Sequence, residues 1–310
     1  MNGLRNFHND KILVMIASYR DPELADTIND CRAKAHDPSR LRFSVVEQIA
    51  PTDAKLPWSK DVETLTIANT ESKGACWARY YTNLMYRDER YVFQIDSHTR
   101  FAQDWDLTMI DLLKSAPAEK PVVSSYPPMY WRDKATHEIK FGGSEPLVIK
   151  MTKFVADGTV CFEPEAMKIT TKLQRARVLA GGLLFTYGQF VREIPYDPEL
   201  YFCGEEISMS IRAWTNGWDL FHPSIAPIYH HYSREGLPHH WDDAGNWGHL
   251  NARAINKVVS MLRGEKVEKC GFGTTRSLAE YEAFAGIDFK AQTIEPDTVA
   301  GVPPGTPLES

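Results

Sequence analysis

The sequence predicts an α/β protein built on a mostly parallel central sheet flanked by helices. Three observations carry this expectation. Continuous apolar runs, such as residues 11–17, suit strands buried on both faces of a parallel sheet. Such runs alternate with helical periodicity as far as Ser115. Polar residues able to do chemistry stand just past the runs, where an open parallel sheet delivers ligand-binding side chains from the carboxyl ends of its strands.

Taken in order, residues 11–17 read as the first strand, Ser18 to Pro22 as a turn, and residues 23–35 as a helix with Leu24, Ile28 and Cys31 on one face. Residues 41–50 and 62–67 read as the second and third strands, residues 74–87 as a helix, and residues 91–95 as a strand that stops at Asp96-Ser97-His98. A helix over 105–115 and a strand over 122–126 follow. Residues 130–174 are an irregular insertion. A strand over 181–187 opens on two glycines, a helix over 205–215 stops at Asn216-Gly217, and residues 225–229 make the final strand of the core. Gly236, Pro238, Gly245 and Gly248, with Trp241 and Trp247, mark 232–251 as a mobile aromatic loop before a helix over 252–262. Residues 1–10 form an N-terminal extension, 11–292 one domain, and 293–310, rich in Pro, Gly and Thr, a disordered tail.

Composition limits the function classes. With 43% apolar and 25% charged residues over 310 positions, the chain has the make-up of a soluble globular protein. A net charge of −6 without a long basic run argues against nucleic acid as a partner. The first apolar run is too short for a signal-peptide core or a membrane span. Five cysteines stand apart without a Cys-x-x-Cys pair, which fits a reducing cytoplasm rather than a disulfide framework.

The central motif is Asp96-Ser97-His98. A carboxylate and an imidazole two residues apart on an extended segment point to one side, so both can reach one divalent cation whose shell a diphosphate would complete. An isolated Asp-x-His is more often a surface turn; its place at the end of a buried strand favours the metal. At Phe202-Cys-Gly-Glu-Glu206, Glu205 and Glu206 either simply suit a helix N-terminus or receive sugar hydroxyls. In Tyr229-His-His-Tyr232, His230 and His231 face opposite ways, and His230 is the preferred third ligand. His239 and His240 read as exposed loop residues.

Ser18-Tyr-Arg-Asp21, Gly74-Ala-Cys-Trp-Ala-Arg79, Gln94-Ile-Asp-Ser-His-Thr-Arg-Phe101, Gly181-Gly182, Phe202-Cys-Gly-Glu-Glu206 and His230-His-Tyr-Ser-Arg234 together resemble the cytoplasmic hydroxyproline N-acetylglucosaminyltransferase family, over roughly residues 11–250. More distantly the pattern resembles the polypeptide N-acetylgalactosaminyltransferases, which share an Asp-x-His motif and a later histidine ligand. The resemblance implies a GT-A fold, a UDP-sugar donor (UDP-GlcNAc by the nearer family), Mn2+ or Mg2+, and retention of anomeric configuration. It implies Asp96, His98 and His230 as metal ligands. Ser18, Tyr19 and Arg20 would line the nucleotide pocket, with Gln48, Arg79, Ser97, Gly181 and Gly182 also on the donor side and Glu205 and Glu206 as catalytic carboxylates. The insertion over 130–174 would choose a protein or saccharide acceptor. Two alternatives stay open: an inverting transferase with Glu205 or Glu206 as base, and an inactive nucleotide-sugar-binding protein.

Overall fold

The computed structural model describes residues 10–143, 145–166, 171–233 and 235–305; nearly all of the expected N-terminal extension and the last five residues of the expected tail lie outside them, as does Arg234. The apolar runs become strands in the expected order. β1 (Ile12–Tyr19), α1 (Leu24–Lys34), β2 (Leu41–Ile49), β3 (Val62–Ala68), α2 (Ala75–Leu84) and β4 (Tyr91–Asp96) lead into β5 (Thr99–Phe101), α3 (Trp105–Ser115) and β6 (Pro121–Ser124). The insertion folds as two antiparallel hairpins, β7 (Tyr130–Arg132) with β8 (Ile139–Phe141) and β9 (Leu147–Phe154) with β10 (Val160–Ala166). Then come β11 (Leu173–Arg175), β12 (Leu183–Tyr187), α4 (Gln189–Glu193), α5 (Glu205–Thr215), β13 (Asp219–Pro223), β14 (Ile228–His230), α6 (His240–Asp243), α7 (Trp247–Leu262) and α8 (Leu278–Ala285). β15 (Ile287–Asp288), β16 (Thr293–Ile294) and α9 (Pro296–Ala300) complete the described chain.

The central sheet has eight strands in the order β11-β13-β6-β12-β4-β1-β2-β3. Pairing is parallel through β4-β1-β2-β3 and between β6 and β13, while β12 and β11 run against their neighbours. β12 therefore begins at the edge where β4 ends, with Leu183 opposite Ile95. That reversal brings Gly181 and Gly182 to the carboxyl end of β4.

Alternation along β1 divides the core. Ile12, Val14 and Ile16 join the apolar cluster containing Leu24, Ile28 and Cys31 of α1 and Trp105, Met109 and Leu113 of α3, whereas Leu13 and Met15 face the other side. The Trp105 indole N–H donates to the Cys31 carbonyl at 2.9 Å, locking α3 to α1. The opposite cluster draws on α5, α7 and α8 and on Ile149 and Met151 of β9.

Three expectations are corrected. Residues 225–229 do not supply the last strand of the central sheet: β14 pairs with β5 in a two-stranded sheet, and the place in the central sheet belongs to β13, between β11 and β6, whose Leu-Phe-His core is too short to stand out as an apolar run. Residues 293–305 are not a structureless tail, since β16 pairs with β15 and α9 buries Thr298, whose hydroxyl donates to the Ala285 carbonyl at 2.8 Å. Residues 232–251 are not loop throughout, because α6 and the start of α7 lie within them.

Candidate active site

β4 ends in Asp96, and the turn after it carries Ser97 and His98 before β5. β14 pairs with β5 so that His230 lies opposite Thr99, and the His231 N–H donates to the His98 carbonyl at 3.1 Å. This register sets the His98 and His230 rings 4.6 Å apart. One ligand-capable atom from each of Asp96, His98 and His230 lies within 4.8 Å of the others. His231 turns away onto the Tyr130 ring, 5.2 Å between centroids.

The chemistry of this trio suits a divalent cation. His230 Nδ1 is buried without a hydrogen-bond partner, and its Nε2 stands 3.1 Å from Asp96 Oδ2 without the geometry of a hydrogen bond. Burial pushes the His230 imidazole below its ordinary value, so near neutral pH the ring is in the form that ligates metals. His98 Nδ1 lies 2.6 Å from Asp21 Oδ2, which also accepts from the Ser97 hydroxyl at 2.6 Å. A carboxylate behind one ring nitrogen leaves Nε2 as the ligating atom and fixes the ring's direction. Burial alone would raise the Asp96 carboxyl; His230 and Arg79 instead hold it well below the usual carboxylate range. A Cβ on Gly182 would stand 3.0 Å from Asp96 Oδ2, so the glycine leaves room around that oxygen.

Asp96, His98 and His230 face a cavity of about 550 Å³ at the carboxyl ends of the strands. Tyr19, Gln48, Ser97, Arg79, Gly181, Gly182, Glu205 and Glu206 also line it. Ser18 and Arg20 are not among the lining residues. Ser18 is buried, and its carbonyl accepts from Gln48 Nε2 at 3.0 Å. Arg20 is held between Asp53 and Asp243, both at 3.0 Å.

The two glutamates are already engaged. Glu205 opens α5 and pairs with Arg79 Nη1 at 2.7 Å, while Arg79 Nη2 reaches Asp96 Oδ1 at 2.8 Å. Glu206 accepts from the Tyr126 hydroxyl at 2.5 Å and the Gly181 N–H at 3.1 Å. Burial and the neighbouring Glu205 push the Glu206 carboxyl up to about 7.

On the far wall, Pro238, His239, His240 and Trp241 roof the cavity. This strap is fastened by Asp243, which accepts from the Tyr19 hydroxyl at 2.6 Å and Asn69 Nδ2 at 2.8 Å besides pairing with Arg20. His240, expected as an exposed loop residue, contacts the Tyr201 hydroxyl through Nδ1. Sequence reasoning assigned no role to Asp21, Tyr126 or Asp243. Of the three, only Asp21 carried a signal, as the acidic end of the Ser-Tyr-Arg-Asp segment.

The profile of one family, described as Glycosyltransferase (GlcNAc), matches residues 11–57 and 54–270. The chain belongs to that family. No curated protein sequence matches this glycosyltransferase. Among solved structures it is similar to GalNAc-T7 crystallised with UDP, GalNAc and Mn2+, with a TM-score of 0.59 and 16% identity over 89% of this chain. The alignment spans 54% of the GalNAc-T7 chain, so what is shared is the GT-A fold. TarS 1–349 from S. aureus aligns with 88% of this chain and 68% of its own at 11% identity and a TM-score of 0.48. Among the described residues, no helix is long and apolar enough to cross a membrane.

Proposed function

We propose that this glycosyltransferase moves GlcNAc from UDP-GlcNAc to a hydroxyl of a protein or saccharide acceptor with retention, using Mn2+ or Mg2+ held by Asp96, His98 and His230. The observation that carries the reading is the trio itself, with an unpartnered buried His230 nitrogen, set in a cavity at the strand ends. When bound, such a cation neutralises the charge that gathers on the diphosphate as it leaves.

The chain's own groups supply the rest. Tyr19 and Gln48 line the part of the cavity next to β1 and β2, where the nucleotide would lie. Gly181 and Gly182 line the cavity, and their missing side chains make room for Arg79, Glu205 and the Asp96 carboxylate behind the place a sugar would take. Glu206 and Tyr126, on the same wall, suit the hydroxyls of the donor sugar or the acceptor. The strap over 238–241 excludes water that would otherwise take the sugar. In the transfer, the C1–O bond to the diphosphate breaks, a C1–O bond to the acceptor oxygen forms, and the acceptor proton leaves with UDP. Five unpaired cysteines fit a cytoplasmic setting.

One observation favours a second reading. A carboxyl near 7, as at Glu206, is poised to act as a general base, which an inverting enzyme needs. The anomeric configuration of the product separates the two.

The test begins with a panel of UDP-sugars and Mn2+, following slow UDP release. UDP-GlcNAc should be hydrolysed fastest, and Asp96→Ala, His98→Ala and His230→Ala should each lower the rate roughly a hundredfold or more while His231→Ala changes it little. Full activity in Asp96→Ala would overturn the reading.

A further inference from the structure

Arg79 lines the cavity, and its guanidinium is buried with both its arms taken. Nη1 lies 2.7 Å from Glu205 Oε1 and Nη2 lies 2.8 Å from Asp96 Oδ1. The fork therefore joins the first residue of α5 to the carboxylate at the end of β4. It is packed directly beneath the glycine pair, because a Cβ on Gly181 would overlap Arg79 Nη1 and come within 2.8 Å of Glu205 Oε1. The Tyr196 ring, 5.4 Å from the guanidinium carbon, backs it from the protein side.

This arrangement is an odd way to build a strong cation site. A fixed positive charge sits on the carboxylate that would bind the metal, where desolvation keeps the repulsion from being screened. The guanidinium takes one unit away from the negative charge that Asp21, Asp96 and Glu205 gather around the place of the cation, and it does so in direct contact with Asp96. The diphosphate of a UDP-sugar would add negative charge back.

We infer that Arg79 is a positioning residue acting as a built-in counter-ion: it occupies Asp96 so that the metal binds weakly until a nucleoside diphosphate arrives, and Glu205 sets how strongly it does so. The inference rests on the proposed metal-dependent reading and deepens it. Glu205 offsets part of the Arg79 charge, so the two residues act on the metal with opposite signs.

That opposition is the test. Mn2+ binding is measured by calorimetry and by electron paramagnetic resonance, with and without UDP, on the full chain and its variants. Removing the charge in Arg79→Gln should tighten Mn2+ binding without UDP about tenfold and shrink the enhancement that UDP gives. Glu205→Gln should weaken Mn2+ binding without UDP. The pair R79M/E205M, which removes the guanidinium together with its Glu205 partner, should fold at least as well as Arg79→Gln and bind Mn2+ alone less tightly than Arg79→Gln but more tightly than the parent chain, because the guanidinium touches Asp96 directly and Glu205 acts through it. A merely structural role would weaken binding in every variant. If neither Arg79→Gln nor R79M/E205M gains affinity for Mn2+ alone, the inference is overturned while the metal site stands. If the parent chain itself binds no Mn2+ in the presence of UDP, the metal-dependent reading fails first.

Discussion

Asp21 stands behind the site and controls it through one ring. Its Oδ2 meets both His98 Nδ1 and the Ser97 hydroxyl, so Asp21→Ala frees the imidazole to rotate without touching the cavity. Mn2+ affinity in the presence of UDP should fall about 10- to 100-fold, measured by calorimetry; an unchanged value would show that packing alone aims the ring. Glu206 gives a pH-dependent expectation. Its carboxyl at about 7 lies above its unfolded value near 4.5, so the folded state holds the extra proton between those limits. Its contribution to stability is full below the lower limit and is lost as pH rises through the upper one, by at most about 3 kcal/mol. Melting curves across that window should flatten in Glu206→Gln. Asp96, His98 and His230 were legible because strand ends and alternation fix which way such residues point. Asp21 and Tyr126 were not, since their roles come from hydrogen bonds made across 77 and 80 positions of sequence.

Among the elements, α6 in the strap buries none of its residues, and the strap depends on Asp243. That carboxylate gathers Tyr19, Arg20 and Asn69, which come from the end of β1 and the turn after β3. Asp243→Asn removes the charge that holds Arg20, so UDP should dissociate several-fold faster, and stopped-flow tryptophan fluorescence should follow the change through Trp241. Unaltered dissociation would mean the strap is not fastened there. β13 depends on one histidine in a similar way. His222 Nδ1–H donates to the Ser124 carbonyl at 2.8 Å and its Nε2 accepts from the Ile149 N–H at 3.4 Å, tying β6 and the β9–β10 hairpin to one ring. Burial pushes that imidazole down to about 4 from its ordinary 6.5. The unfolded chain takes up the proton first as pH falls, so stability is full above about 6.5 and is lost toward 4, by at most about 3 kcal/mol. His222→Gln should show a shallower acid transition. The long buried strands and α1, α3 and α5 were readable from period and caps. β13, β14 and the ordered strap were not, because short elements are set by their partners rather than by their own composition.

On the scale of the molecule, the sheet separates two halves of unequal origin. The cluster around α1 and α3 draws almost entirely on residues 12–113, with Val123, Leu183, Phe185 and Ile228 added later. The opposite cluster closes only with Tyr281, Ala285, Ile287 and Phe289. Arg177 ties that side shut: its guanidinium donates to the Ala285 carbonyl at 2.8 Å and the Val302 carbonyl at 2.6 Å. A chain cut after Ala285 would lose Phe289 from the core and leave a half-buried cation short of an acceptor, so its melting temperature should drop by several degrees or more; a shift within about a degree would show the last elements to be ornamental. The same asymmetry has a consequence during synthesis. A ribosome delivers the first half-core long before the second, so the nascent chain can fold β1 to α3 early. Until Val302 emerges, it displays the unfinished face of the sheet, and that interval is when a holding chaperone has the most to cover.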